Sequence, residues 1–136
     1  MRSLHSALVL ALLVTSSLGL TGCGNSPTSP GVQPEVVNVA DHFSYQVTSM
    51  RDYTATVSYS WQNNGTQATI NQACSLTAGN ATLVVLDPVG AQIYTRSLAE
   101  NGTFTTGNGT PGTWTIRIVY QGTSATVNFR ADVATP

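Results

Sequence analysis

From Glu35 onward, apolar and polar residues alternate with a period of two. That is the signature of strands with one buried and one solvated face, and it fits no helix. Tyr53, Ala55, Val57, Tyr59 and Trp61 share one face, and Thr54, Thr56, Ser58 and Ser60 the other. Trp114, Ile116, Ile118 and Tyr120 repeat the pattern, as do Ala125, Val127, Phe129 and Ala131. Residues 81–86 form a more continuous apolar run, as expected of a central strand, and weaker strands are expected at 36–39, 43–47 and 92–97. Twenty threonines point the same way, because a β-branched side chain suits a pleated, half-buried surface.

Turn chemistry separates these runs: Asn64-Gly65, Gly79-Asn80, Asp87-Pro88-Val89-Gly90, Asn101-Gly102, Asn108-Gly109 and Gly122-Thr123. Asp87 reads as the first residue of a type I turn. The four Asn-x-Thr sequences at Asn64, Asn80, Asn101 and Asn108 read as turn residues too, since Asn tolerates left-handed backbone. The expected fold is all-β: a single antiparallel β-sandwich of seven or eight strands, jelly-roll or immunoglobulin-like, over residues 35–136. A small closed barrel has the same periodicity. Two hairpins are expected to the residue pair. About Asn64-Gly65, Trp61 faces Ala68 and Tyr59 faces Ile70, with only Val57 against Gln72 discordant. About Gly122-Thr123, Tyr120 faces Ala125, Ile118 faces Val127 and Trp114 faces Ala131.

The N-terminus reads differently. Arg2 precedes the apolar run Ala7-Leu8-Val9-Leu10-Ala11-Leu12-Leu13-Val14, which is far short of the ~20 residues that span a bilayer but suits the core of a signal peptide. Leu20-Thr21-Gly22-Cys23 follows and resembles the lipobox of bacterial lipoproteins. The resemblance implies that residues 1–22 are a cleaved signal peptide and that Cys23 carries a diacylglyceryl thioether. The lipid bilayer is then one partner, through an acyl anchor in the cell envelope. Gly24 is not the aspartate of the usual inner-membrane retention signal, so an outer membrane is expected if the source is Gram-negative. Residues 23–34, with three prolines and two glycines, read as a flexible tether.

Charged residues make up 8% of the chain, and lysine is absent. Without residues 1–22, four arginines face six carboxylates, a net charge near −2. Nothing there resembles a basic footprint for nucleic acid or anionic lipid. If lipid takes Cys23, then Cys74 is unpaired, and it reads as a buried structural thiol.

Chemistry-bearing residues are scattered. Asp41-His42 is the one adjacent ionisable pair, but strand neighbours point to opposite faces. No G-x-S-x-G elbow supports a catalytic triad, and zinc spacing is missing. A calcium site would need Asp41 and Asp52 to meet. No cofactor and no catalytic residue are expected. Trp61 and Trp114 fall in register with core positions. Tyr94, between Ile93 and Thr95, is the aromatic expected at the surface and the candidate ligand contact.

The stretches GNATLVVLDPVGAQIY from Gly79 and GTPGTWTIRIVYQGTSATVNF from Gly109 are similar in style to sandwich modules attached to secreted peptidases, the prepeptidase C-terminal and proprotein-convertase P domains. The resemblance implies a sandwich with a non-catalytic role; the acidic calcium positions of some such modules have no counterpart here. The expected function is a membrane-anchored binding module whose partner is an envelope protein or a glycan, and the domain is expected to self-associate or to bind a partner protein through an exposed sheet edge. A surface-tethered carbohydrate-binding module is the alternative, and an enzyme using His42 ranks behind both.

Overall fold

Two strands of 22 residues each run the length of the fold, and the sheet is folded about a bend in both. The computed structural model describes residues 32–135, so the expected signal peptide, Cys23 and the expected tether up to residue 31 lie outside the described residues. The described chain is all-β and antiparallel, with seven strands: β1 (Glu35–Val39), β2 (His42–Asn63), β3 (Ala68–Gln72), β4 (Ser75–Leu86), β5 (Gln92–Ser97), β6 (Gly102–Thr105) and β7 (Gly112–Val133). The run at 81–86 lies in β4, which sits between β5 and β7 as a central strand should.

β2 and β7 pair along their whole length, from His42↔Asp132 to Asn63↔Gly112. Around the first half of β2 and the second half of β7 the strand order is β1-β2-β7-β3-β6. Around their other halves the order is β2-β7-β4-β5, with β4 pairing β7 from Ser75↔Thr126 to Leu86↔Thr115. One hydrogen-bonded sheet thus becomes two layers face to face, a β-sandwich. Ring contacts cross between them: Phe43 and Tyr45 in the first layer lie 5.5 and 5.9 Å from Tyr59 in the second, and Tyr120 donates its hydroxyl hydrogen to Tyr45 at 3.1 Å.

Bulges make the fold line. Between Val47 and Met50, and again between Met50 and Tyr53, β2 places two residues opposite one of β7. Ser49 (φ 58°), Asp52 (φ 42°), Gly79 (φ 70°) and Gly122 (φ 55°) take left-handed backbone there. At the other end the layers are tied together, as the Asp41 amide donates to the Gln62 carbonyl at 2.8 Å and the Val133 amide to the Asp41 carbonyl at 3.0 Å. The core between the layers contains Phe43, Tyr45, Trp61, Ile70, Leu83, Trp114, Ile116, Ile118, Tyr120 and Phe129, and it also takes in Val32, three residues before Glu35.

Both expected hairpins are corrected. Trp61 faces Trp114 and Tyr59 faces Ile116, while Ala68 faces Val133 and Ile70 faces Ala131. The Asn64-Gly65 segment is a turn, but it carries the chain across the open end into the other layer. Gln72, the discordant residue, is buried, and it donates to the carbonyls of Ser97 and Glu100 while accepting from Tyr94. Gly122-Thr123 is no turn: β7 continues through it, and Ile118 pairs with Val57 and Leu83 rather than Val127. Gly79-Asn80 likewise lies inside β4, bulged against β7. A Cβ at Gly79 would stand 2.1 Å from the Gly122 carbonyl oxygen, so these glycines let two bent strands cross closely.

Candidate functional site

β1 is an edge strand held by one neighbour. A turn at Ala40 and Asp41 (φ 65°) brings the chain back, so that Val39 pairs with His42 and Glu35 with Gln46. Asp41 favours this turn because its carboxylate accepts from the Asn64 amide (2.7 Å) and from the Asn64 side chain (2.9 Å). Those bonds, the backbone one foremost, hold the carboxyl below the usual carboxylate range. The other edge of β1 pairs with no strand among the described residues.

The register lays out the outer face of the first layer in rows. One runs Val39, His42, Asp132, Thr69, Thr105, and the next Val37, Ser44, Arg130, Asn71, Thr103. Val37 and Val39 are 49% and 55% exposed, two of the three large apolar residues that the described surface leaves open. Beside them His42 Nδ1 meets Asp132 Oδ1 at 2.5 Å. The Val133–Asp41 backbone bond makes the next pair, His42–Asp132, a non-hydrogen-bonded one, where side chains come closest. The face therefore grades from an apolar edge through a charged column to a Thr/Asn surface, with Asn71 donating to Thr103 at 2.8 Å.

The residues singled out from sequence are not brought together. Trp61 and Trp114 are buried as expected. Tyr94, expected at the surface, is only 7% exposed: on β5 it faces Val85 across the core side, and its hydroxyl donates to Gln72 at 2.7 Å. Burial pushes that phenol up to about 12. The alternation on β5 turns Tyr94 to the core side and leaves Ile93 half-buried and Thr95 exposed. Of the ten aromatics, eight are buried, and Tyr59 and Phe104 are partly buried against the core.

Cys74 is buried and free, and its thiol exchanges weak hydrogen bonds with the Asn128 backbone. Burial pushes the thiol up. Asp87 is the expected turn residue: its carbonyl accepts from Gly90 at 3.0 Å, and its carboxylate accepts from the amides of Val89, Ala91 and Thr110. Those amides, Thr110 foremost, draw its carboxyl down. Asp41 sits at the open end and Asp52 at the fold line, and no group of three metal-ligating side chains occurs among the described residues. The histidine has a partner that sequence reading missed, because Asp132 is 90 residues away. The sequence predicts a weak strand over 36–39, with nothing to mark Val37 and Val39 as an edge.

The fold and site define a bent, continuous-sheet β-sandwich with one apolar edge. No protein-family model and no curated protein matches the chain. A chain of the Glycosylation Associate Protein (Gap123) complex from Streptococcus agalactiae is similar at 11% identity and a TM-score of 0.43, over 81% of this chain. The present chain spans 42% of that one. No described helix is long and apolar enough to cross a membrane.

Proposed function

We propose that this chain is a lipid-anchored protein of the cell envelope whose sandwich is a non-catalytic module that binds a protein partner by strand addition along β1. The observation that carries the reading is the edge of β1 that pairs with no strand among the described residues, with Val37 and Val39 exposed beside it. An open edge offers backbone donors and acceptors to an incoming strand, and alternate side chains give that strand its specificity. Lysine, the usual guard against such pairing, is absent from the sequence. The anchor is read from Leu20-Thr21-Gly22-Cys23, with the acylated chain placed in the outer membrane if the source is Gram-negative.

A photo-crosslinking residue at Asn38, on β1, tests the edge in intact envelopes, with Thr115 on the far layer as the control. A discrete adduct from Asn38, lost when Val37 and Val39 are both lysine, supports the reading. Adducts from Thr115 alone overturn it. The anchor is tested separately. Cys23→Ser should abolish labelling by a fatty-acid probe and leave an unprocessed precursor, whereas a soluble, unlipidated wild-type product overturns the anchor.

A further inference from the structure

The fold line carries a second surface feature, independent of the β1 edge. A cleft of about 210 Å³, open on one side, is lined by Ser49, Met50, Arg51, Ser75, Thr77, Ser124, Ala125 and Thr126. The bulges build it. Two of them set Thr48 and Ser49 against Thr126, and Arg51 and Asp52 against Ser124, so side chains that would alternate in a regular strand converge on one hollow. Met50 and Ala125 close the floor as buried residues.

Five of the eight lining residues carry a hydroxyl, each a donor with two acceptor lone pairs. Two bonds hold the walls: the Asp52 amide donates to Ser124 Oγ at 3.0 Å, and Thr77 Oγ1 donates to the Ser124 carbonyl at 3.0 Å. Among the described residues, Arg51 is the one charged residue lining the cleft. The ion pairs among the described residues are His42–Asp132 and Arg96–Glu100, and Arg51 is in neither. The carboxylate of its neighbour Asp52 lies over Gly122. Left-handed Ser49 and Asp52 flank Met50 and Arg51, a conformation that non-glycine residues adopt only at a cost in energy.

We propose that this cleft binds one anionic sugar residue, a hexose-sized polyol bearing a carboxylate or a phosphate. The hydroxyl walls match the ring hydroxyls of a polyol, and a free guanidinium forks onto carboxylate or phosphate oxygens. The volume lies below the roughly 300–1,000 Å³ of drug-sized sites, which limits the ligand to about one ring. Recognition rests on hydrogen bonds and one charge, since no aromatic lines the cleft.

The test is a titration of the isotope-labelled full-length protein in detergent, followed by backbone amide shifts. The probes are methyl β-D-glucuronide, glucose 1-phosphate, methyl β-D-glucoside and inorganic phosphate. The expected result is saturable shifts at Ser49, Arg51, Ser124 and Thr126 with the two anionic sugars. Binding should be at least about tenfold weaker for Arg51→Gln, as for loss of a charge-assisted hydrogen bond. Arg117→Gln, at a residue that pairs with Ser58 and Val84 away from the cleft, should leave it unchanged. No saturable shift with any sugar overturns the proposal. So does a glucoside that binds as tightly as the glucuronide, an Arg51→Gln protein that binds like wild type, or inorganic phosphate matching glucose 1-phosphate.

Discussion

Trp61 and Trp114 stand directly opposite each other on β2 and β7, their ring centroids 5.9 Å apart and their planes at 88°. Each indole N–H donates to a backbone carbonyl, Trp61 to Val39 at 3.1 Å and Trp114 to Thr110 at 2.8 Å. The pair thus joins the two long strands and secures the end of β1 and the loop before β7. Trp114→Ala should cost about 3–5 kcal/mol, the range for truncating a buried tryptophan. A urea titration followed by circular dichroism measures it, and a loss below about 1 kcal/mol would remove the pair from the stabilising core.

Gly79 and Gly90 separate backbone strain from steric contact. Both have positive φ, 70° and 85°, but a Cβ at Gly79 meets the Gly122 and Gln121 carbonyls while one at Gly90 meets nothing within 4 Å. Gly90→Ala should cost about 1 kcal/mol, from conformation alone. Gly79→Ala should cost clearly more, because a strand must move at the fold line. Equal shifts in thermal midpoint would contradict the close crossing.

The Asp87 carboxylate supplies acid-sensitive stability. Its pKa is drawn below the ordinary 3.8 in the folded chain, so its contribution is fully present above that value and is lost as pH falls through the folded one. Asp87→Asn cannot keep the same charge on three amides. The stability gap between wild type and Asp87→Asn should therefore be constant near neutral pH and narrow below about pH 4. A gap that widens on acidification would reverse the assignment.

Cys74 should be silent toward thiol reagents. Burial raises its pKa and removes it from solvent, so a Cys23→Ser protein, in which Cys74 is the one thiol of the sequence, should at pH 8 react with a disulfide reagent only as fast as it unfolds. Denaturant should expose one thiol at once. Immediate stoichiometric labelling of the native chain would count against a structural role.

The alternation of β2 and β7 carried the fold class, the two buried tryptophans and most of the inward-facing residues. It did not carry the pairing. In β7 the inward set moves from even positions through Tyr120 to odd ones from Thr123, and in β2 the inward residues Val47, Met50 and Tyr53 are spaced by three. A hairpin and a bulge both change parity, and a left-handed glycine such as Gly122 serves either. Only the distant partners distinguish them: β7 has β2 on one side and β3 and β4 on the other. The same blindness hid the Arg51 cleft, which exists because two bulges bring Ser49 and Arg51 to one hollow. His42 met Asp132 through 90 residues of separation, beyond any local pattern. What did surface locally was Gln72, whose poor fit to the expected hairpin was the trace of its true place.

β7 hydrogen-bonds to β2, β3 and β4, and it is the last of the described strands to be made. A nascent chain emerging N-terminus first can close the β1–β2 turn and the β3–β6 and β4–β5 pairs early, but each of those is only a two-stranded ribbon, marginal in water. Everything else waits for residues 112–133 to return across the molecule, the kind of long-range closure that makes β proteins slow to fold. The chain therefore passes through a stage in which its Thr-rich strands have edges and no centre. A sequence with no lysine to guard those edges depends on a prompt arrival of its final strand.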